Sequence, residues 1–180
     1  MMWALDRLEW ALPPTMHTVV RRLEALVAAA DSKSARGCAE QVETALVVGV
    51  VLQPGVAQVT EFLVQTLGSA SAPARTEILE LLFQLGGGAV ASAAHDSELL
   101  ARTRAEAVRG YPLYAHYLEH GDRQDQLTCV DLLWMCAAID PSLCSRIRYL
   151  YVKAAELSEE LRRTVAVNLP VIDEIADTRT

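Results

Sequence analysis

The apolar residues of this chain recur mostly at helical spacing. In the clearest stretch, Ser71 to Gly88, a helix is predicted over residues 74–85, preceded by a proline and ended by three glycines. Its apolar positions fall at i, i+3, i+4 and i+7, which places them in one stripe on the helix. The residues of this stripe are Ile78, Leu81, Leu82 and Leu85. Three polar residues fall on another face of the same helix: Glu77, Glu80 and Gln84.

The same pattern returns 51 residues later without a gap. Leu81 aligns with Leu132 and Leu82 with Leu133, while Phe83 aligns with Trp134. A helical unit repeated at this spacing is typical of stacked helix pairs, since one pair cannot bury its apolar face alone.

Helical periodicity extends over most of the remaining chain, and no segment predicts a strand. We predict one all-α domain over residues 1–180, built as a right-handed α-solenoid of about four antiparallel helix pairs. A short amphipathic helix over residues 3–12 would cap its first end. The pairs are predicted over residues 15–30 with 35–51, 54–67 with 74–85, 97–119 with 124–139, and 141–154 with 158–170. Within the third pair, Gly110 and Pro112 are predicted to break or kink the first helix between residues 109 and 113. Ser34, Asp96 and Asp140 are the predicted N-caps, and Pro170 the predicted end of the last helix.

Two segments carry a likeness to a known family. One is Ser71-Ala-Pro-Ala-Arg75 with the following Glu77-Ile-Leu-Glu-Leu-Leu82, and the other is Gly121-Asp122-Arg123 with Val130-Asp-Leu-Leu133. They resemble the HEAT/armadillo class of α-solenoid, although Gln126 stands where the repeat would align Arg75. The arrangement of Trp10, Val51-Leu-Gln-Pro54 and Arg75-Thr-Glu-Ile-Leu-Glu-Leu-Leu82 is also similar to a group of small bacterial HEAT proteins, some of which are encoded beside secreted toxins. That resemblance implies an immunity protein, which neutralises a toxin by binding it.

Composition and charge narrow the possible partners. The net charge is −7 and the pI about 5.1, which argues against nucleic-acid binding because that depends on clustered Lys and Arg. The longest apolar run, residues 45–52, is far shorter than the ~20 residues of a membrane span. The four cysteines lack Cys-x-x-Cys spacing, and Cys129 and Cys136, which lie in an apolar run, are predicted to be buried thiols, which fits a reducing compartment. We therefore expect a cytoplasmic, soluble protein that does not bind membranes.

Acidic and polar residues lie off the apolar stripes on the second helix of three predicted pairs. In α-solenoids the second helices line the concave face, so these residues are predicted to face outward and to share one groove that binds a basic protein surface. A solvated helix face is the alternative interpretation. The predicted partner-binding residues are Glu40, Glu43, Glu77, Glu80, Gln84, Thr128 and Asp131.

The motifs that could carry chemistry are weak. His116, Glu119 and His120 form an H-x-x-E-H pattern, which inverted zinc peptidases use, but they lie at a helix end and no third ligand can be assigned. Cys144 is the thiol with the most polar neighbours, yet no base can be named for it. We expect no bound metal, no cofactor and no catalytic residue.

The sequence thus predicts a non-enzymatic module that binds a protein partner, most specifically a basic toxin or effector domain. A scaffold or regulatory HEAT adaptor is the first alternative, and a homodimer is left open. An enzyme acting on nucleic acid, like the alkylpurine DNA glycosylases of this fold, is the alternative from another class. Such an enzyme needs a basic groove, which Glu77, Glu80 and Asp131 would oppose.

Overall fold

The computed structural model describes residues 5–8, 12, 16–48, 51–91 and 97–177. Their fold is all-α, with one short pairing of two-residue strands. The helices are α1 (residues 5–8), α2 (His17–Val27), α3 (Ser32–Leu46), α4 (Val56–Leu67), α5 (Ala72–Ala91), α6 (Ser97–Arg109), α7 (Tyr111–His120), α8 (Arg123–Ile139), α9 (Cys144–Ala154) and α10 (Glu159–Asp177).

These helices form two compact units, one ending at Arg109 and the other beginning at Gly110. In the first unit α2 packs against α3, α3 against α5, and α4 against both α5 and α6. In the second unit α7 packs against α8, and α8, α9 and α10 pack against one another. Helix-on-helix packing of this kind is compatible with a helical repeat fold.

The predicted apolar stripe of α5 is buried. Ile78, Leu82 and Leu85 have no exposed surface, and Leu81 is 2% exposed. The aligned residues of α8, Leu132 and Leu133, are also fully buried. Helical periodicity in the sequence therefore identifies the core of each unit correctly.

Two predicted helix ends are wrong. The helix predicted over residues 74–85 does not end before Gly86. In the structure this helix, α5, continues to Ala91. A glycine ends a helix by taking a left-handed conformation, and among the described residues only Gly55 has a positive φ, of 97°. Pro170 does not end α10 either: the helix continues to Asp177, with the proline on its exposed side. Packing of α10 against α8 and α9 outweighs the one hydrogen bond that the proline removes.

Helix α3 ends earlier than predicted, at Leu46 rather than at residue 51. Val47–Val48 then pairs antiparallel with Val51–Leu52, and the Gln53 N–H donates to the Leu46 carbonyl over 2.8 Å. Valine is β-branched and packs better in an extended chain than in a helix. Val47, Val48 and Val51 are therefore extended rather than helical.

Aspartates cap three of the helical segments. The Asp31 carboxylate accepts the Ser34 N–H over 2.9 Å, so Asp31 and not Ser34 is the N-cap of α3. Asp122 accepts the Asp125 N–H over 3.0 Å at the start of α8. Asp140 caps the short 3₁₀ turn before α9, as predicted. The predicted cap Asp96 lies outside the described residues.

A helix that crosses a bilayer must be about 20 residues long and mostly apolar. None of the described helices is both long enough and apolar enough to cross a membrane.

Truncating Leu82 tests the core of the first unit. Because this side chain is fully buried in α5, Leu82→Ala should lower the free energy of unfolding by ~2–5 kcal/mol, measured by urea denaturation. Gln84→Ala is the matched control, since Gln84 is exposed on the same helix and its truncation should cost little. Equal losses in the two variants would contradict this core.

Two glycines should respond oppositely to an added methyl group. A Cβ at Gly87 would meet nothing within 4 Å, so Gly87→Ala should stabilise the protein by about 0.5–1 kcal/mol through helix propensity. A Cβ at Gly110 would collide with the side chain of Tyr114, which is fully buried, so Gly110→Ala should destabilise it. Thermal unfolding of both variants measures this, and a loss of stability in Gly87→Ala would contradict the continuous helix.

Candidate functional site

The clearest group of predicted site residues lies where α3 packs against α5 in the first unit. The two helices place Arg36 of α3 beside Glu77 of α5, with 3.3 Å between the Arg36 Nε and a Glu77 carboxylate oxygen. The Arg36 side chain is 68% exposed, whereas the Glu77 side chain is 9% exposed. One ion pair therefore joins the two helices at the edge of the core.

The electrostatics of Glu77 show that other carboxylates are near. Burial raises the pKa of Glu77 above its ordinary value of 4.5, and the cation of Arg36 lowers it in part. The negative charges of Glu80 and Glu40 raise it further. Three of the predicted residues thus lie within electrostatic range of one another, on two packed helices. We call Arg36, Glu40, Glu77 and Glu80 the α3–α5 acidic cluster.

The members of the α3–α5 acidic cluster differ in how far they reach solvent. Glu40 is exposed and Glu80 is half-buried, so both present negative charge at the surface. Glu77 is buried, which contradicts the prediction that it faces outward. Its position is off the apolar stripe of α5, but the packing of α3 covers that side of the helix. Glu77 is therefore the buried member of the α3–α5 acidic cluster.

Glu43 and Gln84 lie on the same two helices. Glu43 is half-buried near the end of α3, and Gln84 is exposed on α5. Both are open to solvent at least in part, as predicted.

Thr128 and Asp131 belong to α8 of the second unit, whereas the other five predicted residues belong to the first unit. Thr128 is 4% exposed, and its hydroxyl donates to the Gln124 carbonyl over 3.2 Å, so the prediction that it faces outward is wrong. Asp131 is half-buried, and the Asn168 amide of α10 donates to its carboxylate over 3.5 Å. Because α10 packs against α8, this side of α8 is not an open face.

Arg36 is the residue that the sequence analysis did not single out. Its sequence signal is its position four residues before Glu40 on α3, which puts the two side chains on one helix face. The pairing with Glu77, which is 41 residues away, has no signature in the sequence. The cation places a positive charge within the predicted acidic surface.

The H-x-x-E-H residues lie at the end of α7. The His116 and His120 rings are 4.9 Å apart between centroids, and both side chains are exposed. Glu119 lies 3.6 Å from the Nε2 of His120, also near solvent. Among the residues that the structure describes, no group of three or more His, Cys, Asp or Glu side chains is placed to hold a metal ion.

The four cysteines are free thiols. Cys129, Cys136 and Cys144 are buried, and the first two are small core residues as predicted. Burial raises the pKa of Cys136 to about 12, so its thiol is not ionised at neutral pH. Cys144 lines a surface depression of about 320 Å³ between α9 and α10, together with Arg148 and Asp173, which form an ion pair of 3.2 Å.

Comparison of the sequence with family models, and of the chain with curated proteins and solved structures, finds no match.

Replacing Glu77 with Gln tests the electrostatics of the α3–α5 acidic cluster. Because the pKa of Glu77 is higher in the folded than in the unfolded chain, the folded protein binds the proton more readily. Wild-type stability should therefore rise relative to Glu77→Gln as the pH falls from neutral towards 4.5. Urea denaturation of both proteins across this range measures the difference.

Glu24→Gln, at an exposed position of α2, is the matched control for that series. If wild type instead lost stability relative to Glu77→Gln on acidification, the attraction of Arg36 would outweigh the cost of burial. The assignment of a desolvated carboxylate at the cluster would then be wrong.

Proposed function

We propose that this protein is a non-enzymatic helical-repeat module, a HEAT-like solenoid of helix pairs, that binds a basic protein through the α3–α5 acidic cluster. The observation that carries the proposal is the convergence of Glu40, Glu77 and Glu80 where α3 packs on α5. Second helices of neighbouring pairs lie side by side in such repeats, and their common face is the usual binding surface.

The balance of charge within the cluster favours a cationic partner. Arg36 compensates the buried Glu77, whereas Glu40 and Glu80 are the carboxylates of the cluster that reach solvent. Glu43 and Gln84 extend the polar surface along the same two helices. An Arg or Lys of the partner would gain from pairing here, and its net attraction would speed the encounter.

A basic toxin or effector domain is the specific partner that we propose, and its occlusion by this chain would neutralise it. The acidic chain, with a net charge of −7, suits a strongly basic enzyme that acts on nucleic acid. Electrostatic attraction gives an immunity protein the fast association that it needs before the toxin acts.

Affinity capture from the native cell extract, followed by mass spectrometry, tests this function. Bait carrying Glu40→Lys and Glu80→Lys should lose about tenfold or more of the captured partner, while its melting temperature stays within a few degrees of wild type. The partner should be a basic protein that is also released as salt is raised.

The matched control reverses two other exposed carboxylates, with Glu24→Lys on α2 and Glu61→Lys on α4. It makes the same change in net charge and should leave capture intact. Equal capture by both baits would contradict a site at the α3–α5 acidic cluster. Identification of a toxin fragment in the eluate would support neutralisation, whereas a subunit of a larger assembly would refute it in favour of an adaptor.

A further inference from the structure

The outward face of α10 carries apolar side chains that are wholly or partly exposed to solvent. The inner face of this helix packs against α8 and α9 through Leu161, Val165 and Ile172, all nearly fully buried. On the opposite face Val167 is 74% exposed and Val171 is 37% exposed. Ala166 and Pro170 are exposed beside them. Four adjoining apolar residues on a solvent-facing helix are a candidate contact surface.

Oppositely charged residues bound this patch at its two ends. Arg163 precedes it and Glu174 follows it, and both are exposed. Together the residues have the spacing i, i+3, i+4, i+7, i+8 and i+11, which keeps them in one stripe of the helix. Arg163 and Glu174 are therefore about 16 Å apart along the axis on the same side. We call this set the α10 stripe: Arg163, Ala166, Val167, Pro170, Val171 and Glu174.

We propose that the α10 stripe binds a second copy of this chain, with the two α10 helices antiparallel about a two-fold axis. In that arrangement Arg163 of each copy faces Glu174 of the other, since both are equally far from the centre of the stripe. Val167 then faces Pro170, and Ala166 faces Val171. A two-fold contact uses the same patch on both subunits, so the patch must be complementary to itself, as this one is.

The charge pattern argues for this occupant over others. A parallel arrangement would oppose Arg163 to itself and Glu174 to itself, which costs energy. A uniformly basic or acidic partner would meet the wrong charge at one end of the stripe. An anionic membrane would meet a like charge at the Glu174 end of the stripe. Only an antiparallel second copy satisfies both ends with the residues that the stripe itself supplies.

The present contacts of Arg163 do not prevent it from pairing with Glu174 of a second copy. Its Nε lies 3.3 Å from Glu159 on the same helix, and both side chains are more than half exposed. Such a surface pair contributes little, so the guanidinium can turn to another carboxylate. One narrow helix face falls below the ~1,200–2,000 Å² of a stable interface, and the dimer should therefore be weak and dependent on concentration.

Sedimentation velocity of the full chain over a range of concentrations tests the proposal. Wild type should shift from monomer towards dimer as concentration rises, and Val167→Glu should remain monomeric. Tyr149→Glu is the matched control, because Tyr149 is 63% exposed on α9 but lies outside the α10 stripe, and it should dimerise like wild type. A monomeric wild type at every concentration, or equal loss in both variants, would overturn the proposal.

Charge exchange tests the antiparallel pairing itself. Arg163→Glu and Glu174→Arg should each weaken self-association by about tenfold or more, because each places like charges at both ends of the contact. An equal mixture of the two variants should form a heterodimer, since every pair is then again of opposite sign. Circular dichroism checks that each variant is folded. If each variant alone dimerised like wild type, or if the mixture stayed monomeric, the pairing would be wrong.

Discussion

The packing of α5 against its neighbours determines which of its polar side chains reach solvent. This helix contacts α3, α4, α6 and the short strand Val51–Leu52 before α4, so most of its circumference is covered. Glu77 lies on a covered side and is buried although its position is polar. Burying a carboxylate is costly unless a cation or hydrogen bonds compensate it, and Arg36 of α3 is the compensating group. The charge of Glu77 is therefore balanced within the first unit rather than presented to solvent.

Sequence periodicity was sufficient for the parts of the fold that depend on one helix at a time. The apolar stripe of α5 and the aligned stripe of α8 were predicted correctly, because apolar residues that recur about every 3.6 positions lie on the same side of a helix. The ends of helices were less predictable. The triple glycine has low helix propensity but no requirement for a left-handed φ, and Pro170 removes only one donor; in both cases tertiary packing decides.

The candidate site was predicted only in part, for a related reason. Whether a polar residue off the apolar stripe is exposed depends on how many neighbouring helices its own helix touches. Gln84 is exposed as predicted, while Thr128 is covered on α8. The cation opposite Glu77 comes from a different helix, 41 residues away, and nothing local in the sequence links them. Contacts between helices therefore limit how much of the candidate site can be predicted from the sequence.

The two proposed surfaces differ in their electrostatics, so a change in ionic strength should affect binding at each of them differently. The α3–α5 acidic cluster attracts a partner of opposite charge, and salt weakens that attraction by screening. The α10 stripe joins two copies that each carry a net charge of −7, so their overall repulsion is screened as well. Apolar contact among Val167, Pro170 and Val171 does not depend on screening. Salt also screens the two exposed Arg163–Glu174 pairs, so it should weaken the association of the two copies to some extent. It should release a captured basic partner more completely, because only the contact between the two copies has an apolar centre.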